Sequence, residues 1–142
     1  MIKPVQIRPF QFPDDYRPVV ELWDNSGPGI HIGRSDTLEE ITKKQGRDPE
    51  LFLVAEQDGE IVGTVIGGYD GRRALVYHLA VFEDHRQQGI GKALMESLEG
   101  LLREKGCLRA YLLITKDNSA IEFYMKQGWQ LLDLFALGKD LQ

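Results

Sequence analysis

The heptapeptide Arg86-Gln87-Gln88-Gly89-Ile90-Gly91-Lys92 joins an apolar, β-branched run at 74–82 (ALVYHLAVF) to the longest helical pattern of the chain, about 88–105. Two glycines one residue apart at such a junction leave successive backbone N–H groups exposed at a helix N-terminus. Those orphan donors, together with the positive end of the helix dipole, form an anion site. A Cβ at Gly89 or Gly91 would hold phosphate oxygens away from the amides. Side chains contribute little, because over 83–92 Glu83 and Asp84 offset Arg86 and Lys92. Other phosphate motifs fail here. A P-loop needs Gly at 86 and Ser or Thr at 93, where Arg86 and Ala93 stand; Gly27, Gly29 and Gly33 miss the G-x-G-x-x-G spacing by one. The competing reading of the two glycines is a tight turn that merely caps a helix.

Upstream of this loop, 51–57 (LFLVAEQ) and 60–67 (EIVGTVIG) are strand-like runs split by Asp58-Gly59, a strong hairpin signal. With 74–82 they predict an antiparallel meander. Residues 2–10 read as a first strand. Asp15 is positioned to cap a helix over about 16–25, with Tyr16, Val19, Val20 and Trp23 on one face. A Gly-rich loop at 26–35 follows. Asp36, with Glu39 three residues on, predicts a second helix over 36–46 opened by a capping box. Downstream, the helix at 88–105 carries Ile90, Leu94, Leu98, Leu101 and Leu102 on one stripe and ends at Gly106. A strand at 108–114, a short helix at 119–127 with a Ser119–Glu122 capping box, and a final strand from Trp129 complete the pattern. The order β-α-α-β-β-β-α-β-α-β predicts an α/β fold, with helices covering both faces of a mixed sheet.

Length and composition narrow the classes. The 142 residues fit one domain, 1–142, large enough to bury a core without staples. The single cysteine, Cys107, makes neither an internal disulfide nor a structural zinc site. No apolar run approaches the roughly 18 residues of a membrane span, and the first ten residues lack a signal-peptide pattern. The expectation is a cytoplasmic protein with no metal, membrane or nucleic-acid partner. A formal net charge of −5 disfavours nucleic acid and mildly favours cationic partners. The fifteen glycines are a surplus over the usual share, which fits many turns or a loop where a ligand must approach backbone.

The loop resembles the R/Q-x-x-G-x-G/A motif of the GCN5-related N-acetyltransferase (GNAT) superfamily. In those proteins the motif joins strand 4 to helix 3. The resemblance covers nearly the whole chain: the strand order, Leu79-Ala80-Val81 just before the loop, and Tyr124-Met125-Lys126-Gln127-Gly128-Trp129, which is similar to the family's Y-x-x-x-G-[FW] signature. The run FLVAEQDGEIVGTVIGGYDG (52–71) resembles small bacterial acetyltransferases of the YpeA type. The resemblance implies a three-layer α-β-α GNAT-like fold and an acetyl-CoA-dependent N-acetyltransferase acting by direct attack in a ternary complex.

It also implies roles for particular residues. Amides of the loop Arg86, Gln87, Gln88, Gly89, Ile90, Gly91 and Lys92 would hold the pyrophosphate. Backbone groups of Leu79, Ala80 and Val81 would pair with the pantetheine arm, and an N–H of Val81 or Ala80 would donate to the developing oxyanion. Such donors are worth about 2.7–4 kcal/mol in barrier. Asn118 would contact the CoA arm, although it reads equally as a helix-start residue. Tyr124 would protonate the thiolate: a phenol near 10 and a thiol near 8.5 are roughly matched. Many relatives carry a carboxylate on strand 4, yet 74–82 has none. His78 is the candidate base there. Strand parity places His78 with Ala80 on one face and Tyr77 with Leu79 on the other, so only one of His78 and Tyr77 would face the acceptor. Water leading to Glu21, Asp24 or His31 is the other route.

The acceptor is expected between the first two helices, loop 26–35 and the turn Gly67-Gly68-Tyr69-Asp70. Asp24, Tyr69 and Asp70 there can attract a cation, or Asp70-Gly71 can be turn chemistry alone. The acceptor is a small-molecule amine or a protein or peptide amine. By analogy, a homodimer would form through the C-terminal strand. The rival from another class is a non-catalytic acyl-CoA-binding regulatory module, which keeps the loop but has no need of Tyr124.

Overall fold

The computed structural model describes residues 4–26 and 30–142. Gly27 and Gly29 lie outside the described residues. In chain order the elements are β1 (Gln6–Pro9), α1 (Tyr16–Asp24), α2 (Leu38–Arg47), β2 (Phe52–Gln57), β3 (Glu60–Tyr69), β4 (Ala74–Val81), α3 (Ile90–Glu104), β5 (Ala110–Leu112) and α4 (Ile121–Lys126). The sheet runs β1-β2-β3-β4-β5, antiparallel from β1 to β4 and parallel between β4 and β5. The Asp58-Gly59 turn connects β2 to β3 with both residues at positive φ, the geometry that two-residue hairpins favour.

Two cores cover the two faces. On one, Ile90, Leu94, Leu98 and Leu102 of α3, with Tyr124 of α4, pack on Leu53, Ala55, Val62, Val65 and Val76. On the other, Val19, Leu22 and Trp23 of α1 and Ile41 of α2 pack on Phe52, Val54, Ile66 and Ala80. The result is the expected α-β-α layering. Gly63 and Gly67 serve the first face. A Cβ at Gly67 would stand 2.7 Å from Leu98 Cδ1, and one at Gly63 3.1 Å from Ile90 Cγ2. Their missing side chains let α3 approach the sheet.

Several helix starts differ from expectation because the capping candidates have longer-range partners. Asp15 makes no cap; its carboxylate takes Arg8 Nη1 at 2.7 Å and the Gln11 amide at 2.7 Å. The second helix starts at Leu38, and Thr37 caps it by accepting the Glu40 amide at 3.3 Å. Asp36 sits in a 3₁₀ turn, Arg34–Asp36, and accepts the Gly33 amide at 3.0 Å. Before α4, Asn118 Oδ1 accepts the Ala120 amide at 2.8 Å, displacing the Ser119–Glu122 box.

The strands also differ at the C-terminal edge. β5 is three residues, not 108–114, and no strand forms after Trp129 among the described residues, so the final β of the expected order is absent. Leu108 is 96% exposed and Phe135 94% exposed.

The departure that shapes the site lies inside β4. Thr64 pairs with Ala80 and Ile66 with Tyr77, so Val65 faces two residues, His78 and Leu79. His78 has φ +55°. That left-handed conformation costs a non-glycine residue about 1–2 kcal/mol. The extra residue is a β-bulge. It breaks the expected alternation: Tyr77 and His78 both face α1 and α2, while Leu79 packs on the α3 face. The bulge also bends β4 away from β5. Pairing between them covers only Ala74–Val76 against Ala110–Leu112, leaving the β5-side edge of β4 open from Tyr77 onward.

Candidate active site

Beside this opened edge lies a cleft of about 620 Å³. Its walls are Leu79, Ala80 and Val81 of β4, the loop and first turn of α3, and Asn118, Phe123 and Tyr124 around α4. Of the residues assigned to cofactor binding, Leu79, Ala80, Val81, Arg86, Gln87, Gly89, Ile90, Gly91, Lys92, Asn118 and Tyr124 all line it, and Gln88 does not. His78 is also absent from this wall.

The loop has the local geometry of an amide cradle. Gln87 (φ 65) and Gly89 (φ 80) both take left-handed conformations, one residue apart. Such alternation turns neighbouring N–H groups to one side. The first helical bond runs from the Ala93 amide to Gly89 O at 3.0 Å. Amides of residues 87–92 have no acceptor among the described residues. Gly89 is needed for its φ. A Cβ at Gly91 would make only ordinary contact with Phe123, at 3.4 Å, so packing does not require a glycine there. Arg86 is no free cation. Its Nε donates to Val81 O at 3.1 Å and its Nη2 to Ser26 O at 3.3 Å, tying the loop to β4 and to the end of α1.

Along the open edge, the Phe82 amide donates to Val62 O at 2.9 Å, towards β3. By strand alternation the Val81 amide points the other way, to the cleft, whereas that of Ala80 faces β3. Tyr124 is 5% exposed, edge-on to Phe123, with its ring in the cleft wall. Burial pushes its phenol up to about 12. That is well above a thiol near 8.5, so the close match expected from ordinary values is lost. The group stays a protonated hydrogen-bond donor.

On the other face His78 forms a dyad that sequence reading missed. Its Nε2 lies 3.1 and 3.0 Å from the two carboxylate oxygens of Asp36, which is 4% exposed. Burial pushes the Asp36 carboxyl up, but the His78 hydrogen bond and the Gly33 amide outweigh it and hold the group below its ordinary value. An ionised Asp36 fixes the proton on Nε2 and leaves Nδ1 as the ring's lone-pair nitrogen. Trp23 packs edge-on to the imidazole with centroids 5.1 Å apart, and Tyr16 Oη donates to Asp36 O at 3.0 Å. The sequence offers His78 as a candidate base and Asp36 as a helix cap, but nothing in their spacing pairs them. Of the other base-route candidates, His31 pairs with Asp117 at 3.4 Å on an exposed surface. Asp70 proves to be turn chemistry, its Oδ1 accepting the Arg72 and Arg73 amides at 2.8 Å each.

Residues 12–129 match the model of the acetyltransferase (GNAT) family. An acetyltransferase of Pectobacterium atrosepticum is 41% identical over 138 residues, covering 96% of both chains, and one of Yersinia pseudotuberculosis is equally similar over the same length. Among solved structures, Ard1 from Thermoplasma volcanium superposes with a TM-score of 0.78 at 30% identity, covering 91% of this chain and 84% of its own. The PaiA N-acetyltransferase from Thermoplasma acidophilum, solved with coenzyme A, shares the fold at a TM-score of 0.80 and 22% identity, over 93% of each chain. The chain belongs to the GNAT family, and acetyl transfer is the reaction class its relatives support.

No helix among the described residues is long and apolar enough to cross a membrane. No group of three or more His, Cys, Asp or Glu side chains is gathered there in a metal-binding arrangement.

Proposed function

We propose that this chain, as one GNAT domain over 1–142, is a cytoplasmic N-acetyltransferase that moves the acetyl group of acetyl-CoA to an amine by direct attack in a ternary complex. The observation that carries the reading is the bulge at His78. It opens the β4 edge to a cleft ending at unpartnered amides, and it turns a His–Asp dyad to the opposite face of the same strand.

Residues 87–92 hold the pyrophosphate through amides, with no demand on side-chain charge. The open edge at Leu79–Val81 takes the pantetheine arm as a strand would. His78 Nδ1 accepts a proton from the incoming ammonium, directly or through water, with Asp36 stabilising the imidazolium. The neutral amine attacks the thioester carbon. The Val81 amide donates to the oxygen as it becomes an oxyanion. Collapse breaks the C–S bond, expelling the thiolate towards the Tyr124 hydroxyl. With its phenol pushed up to about 12, Tyr124 stabilises that thiolate by hydrogen bonding more than by outright protonation. The proton on the product nitrogen leaves to solvent, because His78 already holds the one taken from the ammonium.

The test is a thiol-release screen with acetyl-CoA across a panel of amines, with the acetylated product identified by mass. Intersecting initial-velocity patterns are expected. Parallel lines would exclude direct attack. CoA binding with no turnover of any amine would make the chain a non-catalytic acyl-CoA-binding module.

A further inference from the structure

A second cavity, about 560 Å³, lies where the C-terminal end of α2, the end of β3 and the starts of β4 and β5 meet. Tyr69, Tyr77, Tyr111 and Leu75 supply flat and apolar walls. Its charged lining comprises the cations Lys43, Lys44, Arg47 and Arg73 against the carboxylates Asp48 and Asp70. Both carboxylates are already engaged. Asp48 pairs with Lys44 and accepts the Tyr69 amide at 3.1 Å; Asp70 closes its own turn. Lys44 is spent on Asp48 and Gly67 O, and Lys43 pairs with Glu40 at 2.6 Å.

The two arginines are different. Arg47 donates one hydrogen bond, to Tyr69 O at 3.3 Å, and the Arg73 guanidinium stacks 5.5 Å from the Tyr111 ring centroid. Neither has a carboxylate within ion-pair distance among the described residues. Asp70 lies in reach of the Arg47 field but spends its Oδ1 on the Arg72 and Arg73 amides, so two guanidinium groups outside any ion pair stand at one cavity mouth, suited to a bidentate anion.

The cavity also abuts the dyad. Tyr77 lines it, and the Tyr77 ring meets the His78 ring edge-on with centroids 5.6 Å apart. Resting on the acetyl-transfer reading above, we infer that the acceptor is an amine carrying a carboxylate or phosphate set apart from the reacting nitrogen. Arg47 and Arg73 clasp the anion while the amine sits at His78. A small amino acid or phosphoamine, and a peptide N-terminus with an acidic side chain near it, share this chemistry.

The experiment compares acceptors that differ only in the anion: a graded series of ω-amino acids, their primary amides and the matching diamines, and the peptide Ala-Ala-Asp-amide against Ala-Ala-Asn-amide. At saturating acetyl-CoA, acids should exceed amides in kcat/KM by about 10–100-fold, the range of a charge-assisted hydrogen bond. Whichever arm shows the larger ratio identifies the source. Arg47→Gln and Arg73→Gln should each collapse the acid-to-amide ratio towards one. Arg72→Gln, on the same turn but outside the cavity, should preserve it. Equal rates for acids and amides, or a preference for diamines, would overturn the anion site while leaving acetyl transfer standing. Calorimetric binding of the ω-amino acids to the CoA-loaded protein separates the remaining cases. Binding that depends on Arg47 and Arg73 without turnover keeps the anion site and sinks the reaction; neither binding nor turnover sinks both.

Discussion

On the readings proposed above, the two ends of β4 would bind anions in opposite ways. At the C-terminal end, a loop whose charged side chains nearly cancel presents amides of residues 87–92, with Arg86 turned back onto Val81 O and Ser26 O. At the N-terminal end, backbone groups are occupied by the turn, and free charge comes from Arg47 and Arg73. Amides fixed by backbone geometry lose little entropy on binding and suit an invariant ligand. Long side chains must be immobilised, but they can be exchanged one at a time without disturbing the fold. A shared cofactor at one end and a variable acceptor at the other would be served by that division.

The largest effect that separates the two ends should come from the chemistry between them. On the proposed mechanism Tyr124→Phe removes the donor to the departing sulfur, and kcat should fall about 10²-fold or more with little change in KM for acetyl-CoA. Burial pushes the phenol up to about 12. Tyr124 should therefore impose no alkaline loss of kcat below roughly pH 11, where an ordinary tyrosine near 10 would. A wild-type alkaline limb near pH 10 that vanishes in Tyr124→Phe would contradict this.

His78→Gln should follow, lowering kcat/KM by about 10²-fold as a lost general base does. Asp36→Asn should cost less activity, since it orients and does not itself accept the proton. It should also destabilise the fold by about 1–3 kcal/mol by disturbing a buried hydrogen-bonded group. The sign with pH is definite. Asp36 is held below its ordinary value in the folded protein. Its contribution is therefore complete above an unfolded carboxylate near 3.9. It is lost as pH falls from there through the folded value. Urea midpoints against pH should converge for wild type and Asp36→Asn at the acid end.

How far all this was visible in the sequence depends on the range of the interactions. The Asp58-Gly59 hairpin, the α3 stripe and the glycine loop were legible because their partners lie within a few residues. Asp15, Asp36 and Ser119 have the residue types of caps, since a cap is what such residues make locally. Arg8 and His78 claimed the first two, the latter from 42 positions away. The bulge was invisible, because nothing in 74–82 distinguishes His78 from its neighbours in period. Its consequences, the shared face of Tyr77 and His78 and the shortened β5, were therefore missed together. Leu113 and Ile114 follow the β pattern but have lost the strand edge they would pair with.

Within the cofactor end, backbone and side chain can be set against each other. Gly89→Ala places a Cβ on a residue held at a left-handed φ. The strain, about 1–2 kcal/mol, and the displaced cradle should together raise KM for acetyl-CoA about tenfold. Lys92→Gln should raise it less, because its side chain is 57% exposed and only 3.9 Å from Glu96. If Lys92→Gln proved the worse of the two, the amide account of the loop would be wrong.

The smallest effect is the one that tests the contrast most directly, because it needs no mutation. Interactions with exposed guanidinium groups are screened once the Debye length falls below the charge separation, from about 10 Å at 0.1 M salt to about 3 Å at 1 M. Amides at a helix start act by contact, through short hydrogen bonds that added ions scarcely shorten or lengthen. Raising ionic strength should therefore increase KM for an anionic acceptor severalfold while KM for acetyl-CoA moves less. In Arg47→Gln, Arg73→Gln and above all the double variant, the acceptor's salt dependence should flatten. An acetyl-CoA KM as salt-sensitive as the acceptor's would mean that both ends of β4 bind through mobile charge, and the division of labour along the strand would disappear.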